Sequence, residues 1–225
     1  MTDSTPASHS ALRWLLPILA LLILAAGFAL SLRVHRGAPE VAGLYLPEAR
    51  PLPAFALQDH RGQAFGPAEL QGRWTVLAYG YTHCPDICPT TLASLAKAAR
   101  ALAAEDPAAY AATRFAFLSV DPARDTAARL GEYVPFFHPD FLGLRVDGPA
   151  GEPLLRALGI VAIVNAPADP AKPDQYAVDH GVAMYLLDPQ GRLRAILRPE
   201  GANAATGAYA PEILVRDIRA VEAHG

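Results

Sequence analysis

The sequence predicts an α/β sandwich preceded by one membrane-spanning helix. Three observations lead to this fold class: an uncharged apolar run near the N-terminus, two compact apolar runs that alternate with segments of helical periodicity, and two short apolar runs around a late glycine turn. A chain of 225 residues, of which 52% are hydrophobic, can bury one substantial core and still carry an appendage.

Residues 14–32 carry no charged side chain, and about twenty apolar residues are what a helix needs to cross the hydrocarbon core of a membrane. We interpret this run as an uncleaved anchor. A cleavable signal peptide is the competing interpretation, because Gly27 and Ala29 offer a small-residue cleavage site. Arginines flank the run on both sides, so the charge pattern does not fix its orientation.

The composition divides the chain into four segments. After the apolar run, proline and glycine are scattered without periodicity, which is typical of a linker. We therefore expect an N-terminal tail at 1–13, a transmembrane anchor at 14–32, a linker at 33–52 and a globular domain at 53–225.

The first half of the globular domain alternates strands and helices. Apolar and polar residues alternate at 55–65, which predicts a hairpin. Compact apolar runs at 74–81 and 114–121 predict two strands buried on both faces. Between them, residues 89–104 place apolar side chains at helical spacing, and a second helix is expected at 126–137.

The second half ends in a hairpin and a helix. A short strand is expected at 142–148 and a short helix at 151–158. Apolar runs at 182–188 and 193–198 flank a turn and predict a hairpin, and residues 211–224 carry one apolar stripe. Strand, helix, strand, hairpin and terminal helix in this order predict a mixed sheet covered by helices, as in thioredoxin-type folds.

Charge and cysteine content exclude several classes of function. The chain has 19 Lys and Arg against 22 Asp and Glu and no basic block, so nucleic acid is not expected as a partner. Two cysteines are too few for a disulfide scaffold, a four-cysteine zinc site or a cysteine-ligated iron–sulfur cluster. The sequence also lacks a glycine-rich phosphate loop, a GxSxG elbow and an HExxH helix.

Both cysteines, Cys84 and Cys88, fall in the stretch YTHCPDICPTTL, where a predicted strand passes into a predicted helix. A spacing of four residues would place both side chains on one helical face, one turn apart. The partial positive charge of a helix N-terminus favours the thiolate form. Pro85 and Pro89 are compatible with a first helical turn. We therefore expect both sulfurs to point at one spot.

Four interpretations of the two thiols compete. Simple packing gives no reason for a proline-rich strand–helix junction. A dithiol oxidoreductase has two residues between its cysteines, where this chain has three. Such proteins also carry a proline immediately before the strand that corresponds to 182–188, and this chain lacks it. A peroxiredoxin needs a threonine where this chain has Tyr81. A metal site is the fourth: two thiolates select a soft ion, and Cu(I) needs only one or two further ligands, whereas zinc needs four in total.

A third ligand would have to come from the seven histidines. His180 stands just before a predicted core strand, in a loop that the fold brings beside the cysteines, although a structural histidine is the competing interpretation. His83 adjoins Cys84 and would form a cramped chelate, and His138 ends a predicted helix. The others are expected to be solvated bystanders: His9, His35, His60 and His224.

The strings YTHCPDICP, SVDPARDT (119–126) and YAVDHGVAMYLLDPQG (176–191) resemble those of the Sco/SenC family of membrane-anchored copper chaperones. The resemblance runs from about Pro53 to the C-terminus. It implies a thioredoxin-like copper-binding domain that faces the periplasm, or the intermembrane space in mitochondria, on a single-pass inner-membrane anchor. It also implies a role in assembling the dinuclear copper (CuA) centre of cytochrome c oxidase.

The resemblance implies copper, as Cu(I), Cu(II) or both, bound by Cys84, Cys88 and His180. The same two cysteines would form a redox disulfide whose formation abolishes the site. Asp86 and Asp121 are candidates to support a ligand or to contact a partner, and a turn or helix cap is the competing interpretation of each.

The neighbours of these ligands carry two further expectations. Gly181 departs from the family, which often has serine after the histidine, and this could loosen the loop that presents the ligand. Tyr79 and Tyr81 are expected to pack beside the site without binding a ligand.

The implied function is that of a metal carrier and not of a turnover enzyme. Its expected partners are the oxidase subunit with the dinuclear copper centre, the membrane, and another periplasmic copper chaperone or thioredoxin-like reductase. Two alternatives stay open at this point. One is a thiol–disulfide reductase that keeps the oxidase subunit's cysteines reduced, and the other is a copper or redox sensor.

Overall fold

The computed structural model describes residues 17–25, 27, 38–146, 148–199, 206 and 208–224, in two compact units, Met1–Ala38 and Pro39–Gly225. In the first unit residues 17–25 and 27 are helical and exposed. The predicted tail at 1–13 and much of the predicted anchor at 14–32 lie outside the described residues. Within the described part of the chain, no helix combines the length and hydropathy needed to cross a membrane.

The second unit is built on a mixed sheet. Its described residues form eight hydrogen-bonded strands in the order β1-β10-β9-β4-β5-β6-β2-β3, and two further strands, β7 and β8, pair with each other. The strands are β1 (Gly43–Arg50), β2 (Leu57–Asp59), β3 (Ala64–Phe65), β4 (Trp74–Gly80), β5 (Thr113–Ser119), β6 (Leu142–Val146), β7 (Ala162–Val164), β8 (Val178–His180), β9 (Met184–Leu187) and β10 (Leu193–Leu197). β4, β5 and β6 are parallel, and the other pairs are antiparallel.

Helices cover this sheet. They are α1 (Ile87–Glu105), α2 (Pro107–Ala112), α3 (Ala127–Phe137), α4 (Glu152–Leu158) and α5 (Pro211–Glu222), with a 3-10 turn at Pro149–Gly151. Asp86 occupies the N-cap position of α1, and Pro89 is the third helical residue, where a missing N–H removes no intrahelical hydrogen bond. Thr126 caps α3, since its side-chain oxygen accepts from Arg129 N at 3.1 Å.

Two clusters of buried apolar side chains lie against the sheet. One joins α1, α3 and α5 to the sheet through residues such as Leu95, Phe117 and Ile218, and the other includes Leu77, Leu118 and Leu144. All seven residues of β4 are buried, as expected of a central strand that is covered on both faces. Burial of this kind supplies most of the free energy that stabilises the fold.

The strands predicted at 74–81 and 114–121, the hairpin at 182–188 and 193–198 and the helix at 89–104 are confirmed by β4, β5, β9, β10 and α1. One difference lies in the segment expected as a linker, because Gly43–Arg50 forms β1 and pairs with β10. Ala42 N also donates to the buried carboxylate of Asp217 at 2.7 Å. This strand could not be predicted, because it contains Pro47 and its apolar and polar residues do not alternate. It forms by pairing with the edge of β10.

The parallel strands β4 and β5 end side by side, at Gly80 and Ser119. Each is followed by a loop that leads into a helix, and Val120 N in one loop donates to Gly80 O at 2.9 Å. The β7–β8 hairpin approaches the same end of the sheet, where Arg124 Nη1 donates to Tyr176 O at 2.8 Å. Sites in open α/β sheets form at such carboxyl ends of parallel strands.

Candidate metal centre

The two cysteines converge, but not on one helical face as the spacing suggested. α1 begins at Ile87, so Cys88 lies in its first turn and is buried, whereas Cys84 lies in the preceding loop and is half-buried. Cys84 precedes Pro85, which disfavours helical backbone at Cys84. The loop folds back so that Cys88 N donates to Cys84 Sγ at 3.3 Å. The N-terminus of α1 therefore binds the Cys84 sulfur through a backbone N–H group and contains Cys88 in its first turn.

His180 reaches the thiols from the β7–β8 hairpin. It is the last residue of β8, where a loop was expected, and it pairs with Ala162 of β7. His180 Nε2 lies 3.2 Å from Cys88 Sγ, and Nδ1 lies 2.7 Å from Gly181 O. Because a carbonyl oxygen can only accept, Nδ1 carries the proton, which leaves the lone pair of Nε2 directed at the sulfurs.

These three side chains form a group that could hold one metal ion. Cys84 Sγ, Cys88 Sγ and a ring nitrogen of His180 all lie within 4.8 Å of one another. Among the described residues, no other group of three or more His, Cys, Asp or Glu side chains lies close enough together to hold a metal ion. Two sulfurs and one imidazole nitrogen suit a soft or borderline ion.

The two thiols differ in acidity. The pKa of Cys84 is lowered to about 4, chiefly because the Cys88 thiol donates a hydrogen bond to its sulfur, with further donation from the backbone N–H groups of Cys88 and Asp86. The pKa of Cys88 is raised, because it donates to Cys84 and is buried. The reduced site therefore holds a thiolate at Cys84 and a thiol at Cys88.

Aromatic rings form the walls around His180. The Tyr79 and Tyr81 ring centroids lie 5.8 and 5.7 Å from that of His180, and both contacts are edge-on. The two tyrosines thus pack beside the site, as interpreted from sequence. Between them, Gly80 is required, because a Cβ atom there would overlap Cys88 Sγ. The sequence carried no signal for this role, since a glycine at the end of a strand has no pattern of its own.

Gly181 leaves room for a tyrosine hydroxyl. A Cβ atom at Gly181 would lie 2.5 Å from Tyr79 Oη, so a serine here would displace that ring from its position. The Tyr79 hydroxyl therefore occupies the space that a side chain at residue 181 would take. The Gly181 carbonyl stays in place to orient the His180 ring.

Asp121 supports the hairpin that carries His180. Its carboxylate is buried and accepts from Arg124 Nε at 2.6 Å and from the Tyr176 hydroxyl at 2.7 Å. Arg124 also donates to the carbonyl oxygens of Asp174 and Tyr176, at 2.9 and 2.8 Å. These bonds fasten the segment that leads into β8. Since the carboxylate is 2% exposed, it lies away from the surface that a partner could reach.

Asp86 has the opposite environment. It is exposed, and although it occupies the N-cap position of α1, its side chain makes no capping hydrogen bond. Its backbone carbonyl accepts from Thr90 N at 3.1 Å. Asp86 and Asp179 line the cleft that opens above Cys84 and His180. The free carboxylate of Asp86 therefore faces any molecule that approaches the thiols.

Asp125 was missed by the sequence reasoning. It is fully buried and its carboxylate accepts three hydrogen bonds, from Thr82 N at 2.9 Å, Thr82 Oγ1 at 2.7 Å and Ser119 Oγ at 2.5 Å. These bonds tie the cysteine loop to the end of β5. The only signal was a second aspartate in SVDPARDT, and nothing in its spacing separates it from Asp121.

The other histidines lie away from the thiols. His83 Nδ1 lies 3.2 Å from Thr82 Oγ1 and 3.6 Å from Asp125, so it is engaged by the loop. His138 is buried against Phe141. His60 is not a solvated bystander, because its Nδ1 accepts from Gly143 N at 2.9 Å. His224 is exposed, and two lie outside the described residues: His9 and His35.

The fold and the site define a dithiol–histidine protein on a sheet of the thioredoxin type. Residues 46–212 match the sequence model of the SCO1/SenC family, and the chain belongs to this family. The solved structure of Arabidopsis thaliana ScoI with copper bound is 29% identical, with a TM-score of 0.64, and covers 76% of this chain and 98% of its own. This match confirms the mixed α/β, thioredoxin-like fold that the sequence predicted.

Two relatives show the range of the similarity. The mitochondrial SCO2 homolog of Bos taurus is 41% identical over 138 residues, which cover 61% of this chain and 50% of the relative. A Stutzerimonas stutzeri protein named for copper binding is 36% identical over 182 residues, which cover 80% of this chain and 86% of the relative. The chain thus spans about half the length of the mitochondrial relatives that it matches.

Proposed function

We propose that this chain is a copper carrier that holds its cargo through Cys84 Sγ, Cys88 Sγ and His180 Nε2. The observation that carries the proposal is the convergence of these atoms, within 4.8 Å of one another, from a loop, a helix and a separate hairpin. Family membership supports the choice of metal, because structures of relatives contain copper. Two sulfur ligands and one imidazole suit Cu(I), which accepts low coordination numbers.

The acid–base state of the site fits loading. Cys84 is a thiolate before the metal arrives, so it presents an anionic ligand at the surface. Cys88 must lose its proton, and loading should therefore release about one proton per ion. Because the cleft stays open beside Cys84, ligands of another protein can replace these one at a time. The proposed recipient is the oxidase subunit that carries the dinuclear copper centre.

The proposed placement of the chain follows from its N-terminal composition. Residues 14–32 would form an uncleaved anchor after a tail at 1–13, and a linker that ends before β1 would join it to the domain, which would face the periplasm or the intermembrane space. A phosphatase reporter that is active only outside the cytoplasm, fused after Gly225, should be active. A well-expressed but inactive fusion would exclude this placement.

A thiol–disulfide reductase is the second candidate function, and one observation favours it. Cys84 is an accessible thiolate and Cys88 a buried thiol beside it, the pairing that thiol–disulfide exchange needs for attack and resolution. The same pairing also gates the carrier function, because a disulfide removes both sulfur ligands. His180 distinguishes the two functions, since exchange needs only the thiols.

The test compares His180→Ala with His83→Ala, a matched loss of a neighbouring imidazole that the loop engages elsewhere. A carrier should lose Cu(I) affinity by at least about a hundredfold in His180→Ala and keep it in His83→Ala. The dithiol should still oxidise in both variants. Tight copper binding by His180→Ala would remove the histidine from the site. Copper loss without any defect in oxidase assembly in cells would favour the reductase.

A further inference from the structure

Three exposed β-branched side chains lie on β7, the strand next to the ligand strand, or directly before it. Val161, Ile163 and Val164 are 65%, 56% and 60% exposed. We call them the apolar edge. Among the described residues of the second unit, two other large apolar side chains are exposed, Leu44 and Phe136. Three of the five large apolar side chains that are exposed in the described part of this unit therefore lie on β7 or directly before it.

The apolar edge is adjacent to the candidate ligand in the hydrogen-bonded ladder. Ala162 pairs with His180, and Ile163 and Val164 pair with Asp179 and Val178. β7 pairs with β8 and does not join the main sheet, so one side of β7 is a free strand edge among the described residues. Free edges with apolar side chains favour association, and proteins commonly protect them with charges or bulges. This edge carries no charged side chain between 161 and 164.

Copper transfer requires a partner protein to approach this region. Ligand exchange requires a partner's sulfur or nitrogen atoms to reach the ion, so the partner has to cover the cleft. One wall of the cleft is formed by Cys84–Ile87, and the other is Ala177–His180, to which β7 is paired. A molecule that covers the second wall therefore meets the apolar edge as well.

Two carboxylates at the rim of the cleft indicate which charge a partner should carry. Asp86 on one wall and Asp179 on the other are exposed, and neither is part of an ion pair among the described residues. A partner that combines a small apolar patch with flanking Lys or Arg side chains would complement this surface. Three side chains give a small interface, and small interfaces are typical of transient encounters, which suits a carrier that must release its recipient.

We propose that the apolar edge, together with Asp86 and Asp179, is the docking surface for the copper-accepting protein. That protein would be a domain whose own thiolate and imidazole ligands lie beside an apolar patch with a basic rim. The proposal rests on the proposed carrier function. Docking at this edge would bring the acceptor's ligands over Cys84 and His180 without contact to the buried Cys88.

The experiment measures copper transfer from the loaded protein to the reduced, metal-free dinuclear-copper domain of an oxidase subunit by stopped-flow absorbance. Ile163→Glu should lower the second-order rate at least tenfold while copper affinity changes less than twofold. Val164→Thr keeps the shape and β-branching of valine, so it guards against a folding defect, and it should lower the rate by a smaller factor. Phe136→Glu, on an exposed phenylalanine of α3, is the matched control and should leave the rate unchanged.

The contribution of charge is tested separately. Asp86→Asn should lower the rate and flatten its dependence on salt, because attraction between opposite charges is screened by ions. If Ile163→Glu transfers copper at the same rate as the unaltered protein, the docking proposal is overturned and the carrier function stays intact. A loaded protein that does not transfer to this domain, or a dimer that Ile163→Glu dissociates in sedimentation, would also overturn it. A protein that binds no copper would refute the carrier function itself.

Discussion

Replacing Gly80 with alanine tests whether the metal site depends on an empty space between its ligands. Gly80 is the last residue of β4, and a Cβ atom there would overlap Cys88 Sγ and lie 3.3 Å from His180 Cε1. Without metal, the Cys88 side chain can rotate away from the added methyl group. With copper bound, the ion holds both the sulfur and the imidazole, so this relief is lost. The strain therefore falls mainly on the loaded state.

The size of the effect follows from the cost of overpacking. Adding one methyl group to a well-packed region costs about 1–3 kcal/mol. If the loaded state carries this cost, the dissociation constant for Cu(I) should rise about 5- to 150-fold, since about 1.4 kcal/mol corresponds to a factor of ten. Anaerobic competition against a chelator of known Cu(I) affinity measures this constant directly.

A second glycine provides the control. Gly131 lies within α3, and a Cβ atom there would have His60 O as its nearest neighbour, at 3.6 Å, an ordinary contact. Gly131→Ala should therefore leave copper affinity unchanged and increase the free energy of unfolding by about 0.5–1 kcal/mol, because alanine is favoured over glycine inside a helix. Copper affinity in Gly80→Ala equal to that of the unaltered protein would refute the assignment of Cys88 and His180 to one ion.

Three further predictions follow from the supporting contacts. Because the pKa of Cys84 is about 4, its thiolate persists above that pH, and the rate of its alkylation by iodoacetamide should vary little between pH 6 and 8. In Cys88→Ser, which lacks the thiol donor, this rate should rise steeply with pH. Similar pH profiles for the two proteins would contradict the assignment. Asp125→Asn should lower the free energy of unfolding in urea by about 2–3 kcal/mol, since an amide cannot accept all three bonds; an unchanged midpoint would exclude this role. Tyr176→Phe removes one donor to a buried carboxylate, and hydrogen exchange of the β8 amides should accelerate about tenfold while that of β4 stays constant.

The central part of the fold could be predicted because its residues report their own environment. β4 and β5 are uninterrupted apolar runs because both faces are covered, and α1 repeats apolar residues at the helical period. β1 could not be predicted this way, since it depends on pairing with β10 and contains Pro47. β8 is three residues long, and its identity as a strand depends on β7. Short strands of this kind are set by tertiary contacts and not by local propensity.

The same distinction applies to the site. The residue types of Cys84, Cys88 and His180 carry a chemical signature, so the sequence could single them out. Gly80 and Asp125 could not be found, because one acts through the absence of a side chain and the other through hydrogen bonds to residues more than forty positions away or in a neighbouring strand. Positioning residues of this kind have no spacing rule, so only the folded structure reveals them.

The geometry implies that the proposed copper binding and oxidation of the two thiols would exclude each other. Cys88 Sγ lies between two possible partners, Cys84 in the loop and His180 at 3.2 Å on the hairpin. A disulfide would commit Cys88 to the loop and leave the imidazole as the remaining ligand of the three. Copper would instead join the loop, α1 and the β7–β8 hairpin through a single ion. Because both outcomes use the same two sulfur atoms, the redox state of the thiols would determine whether copper can join the hairpin to the helix.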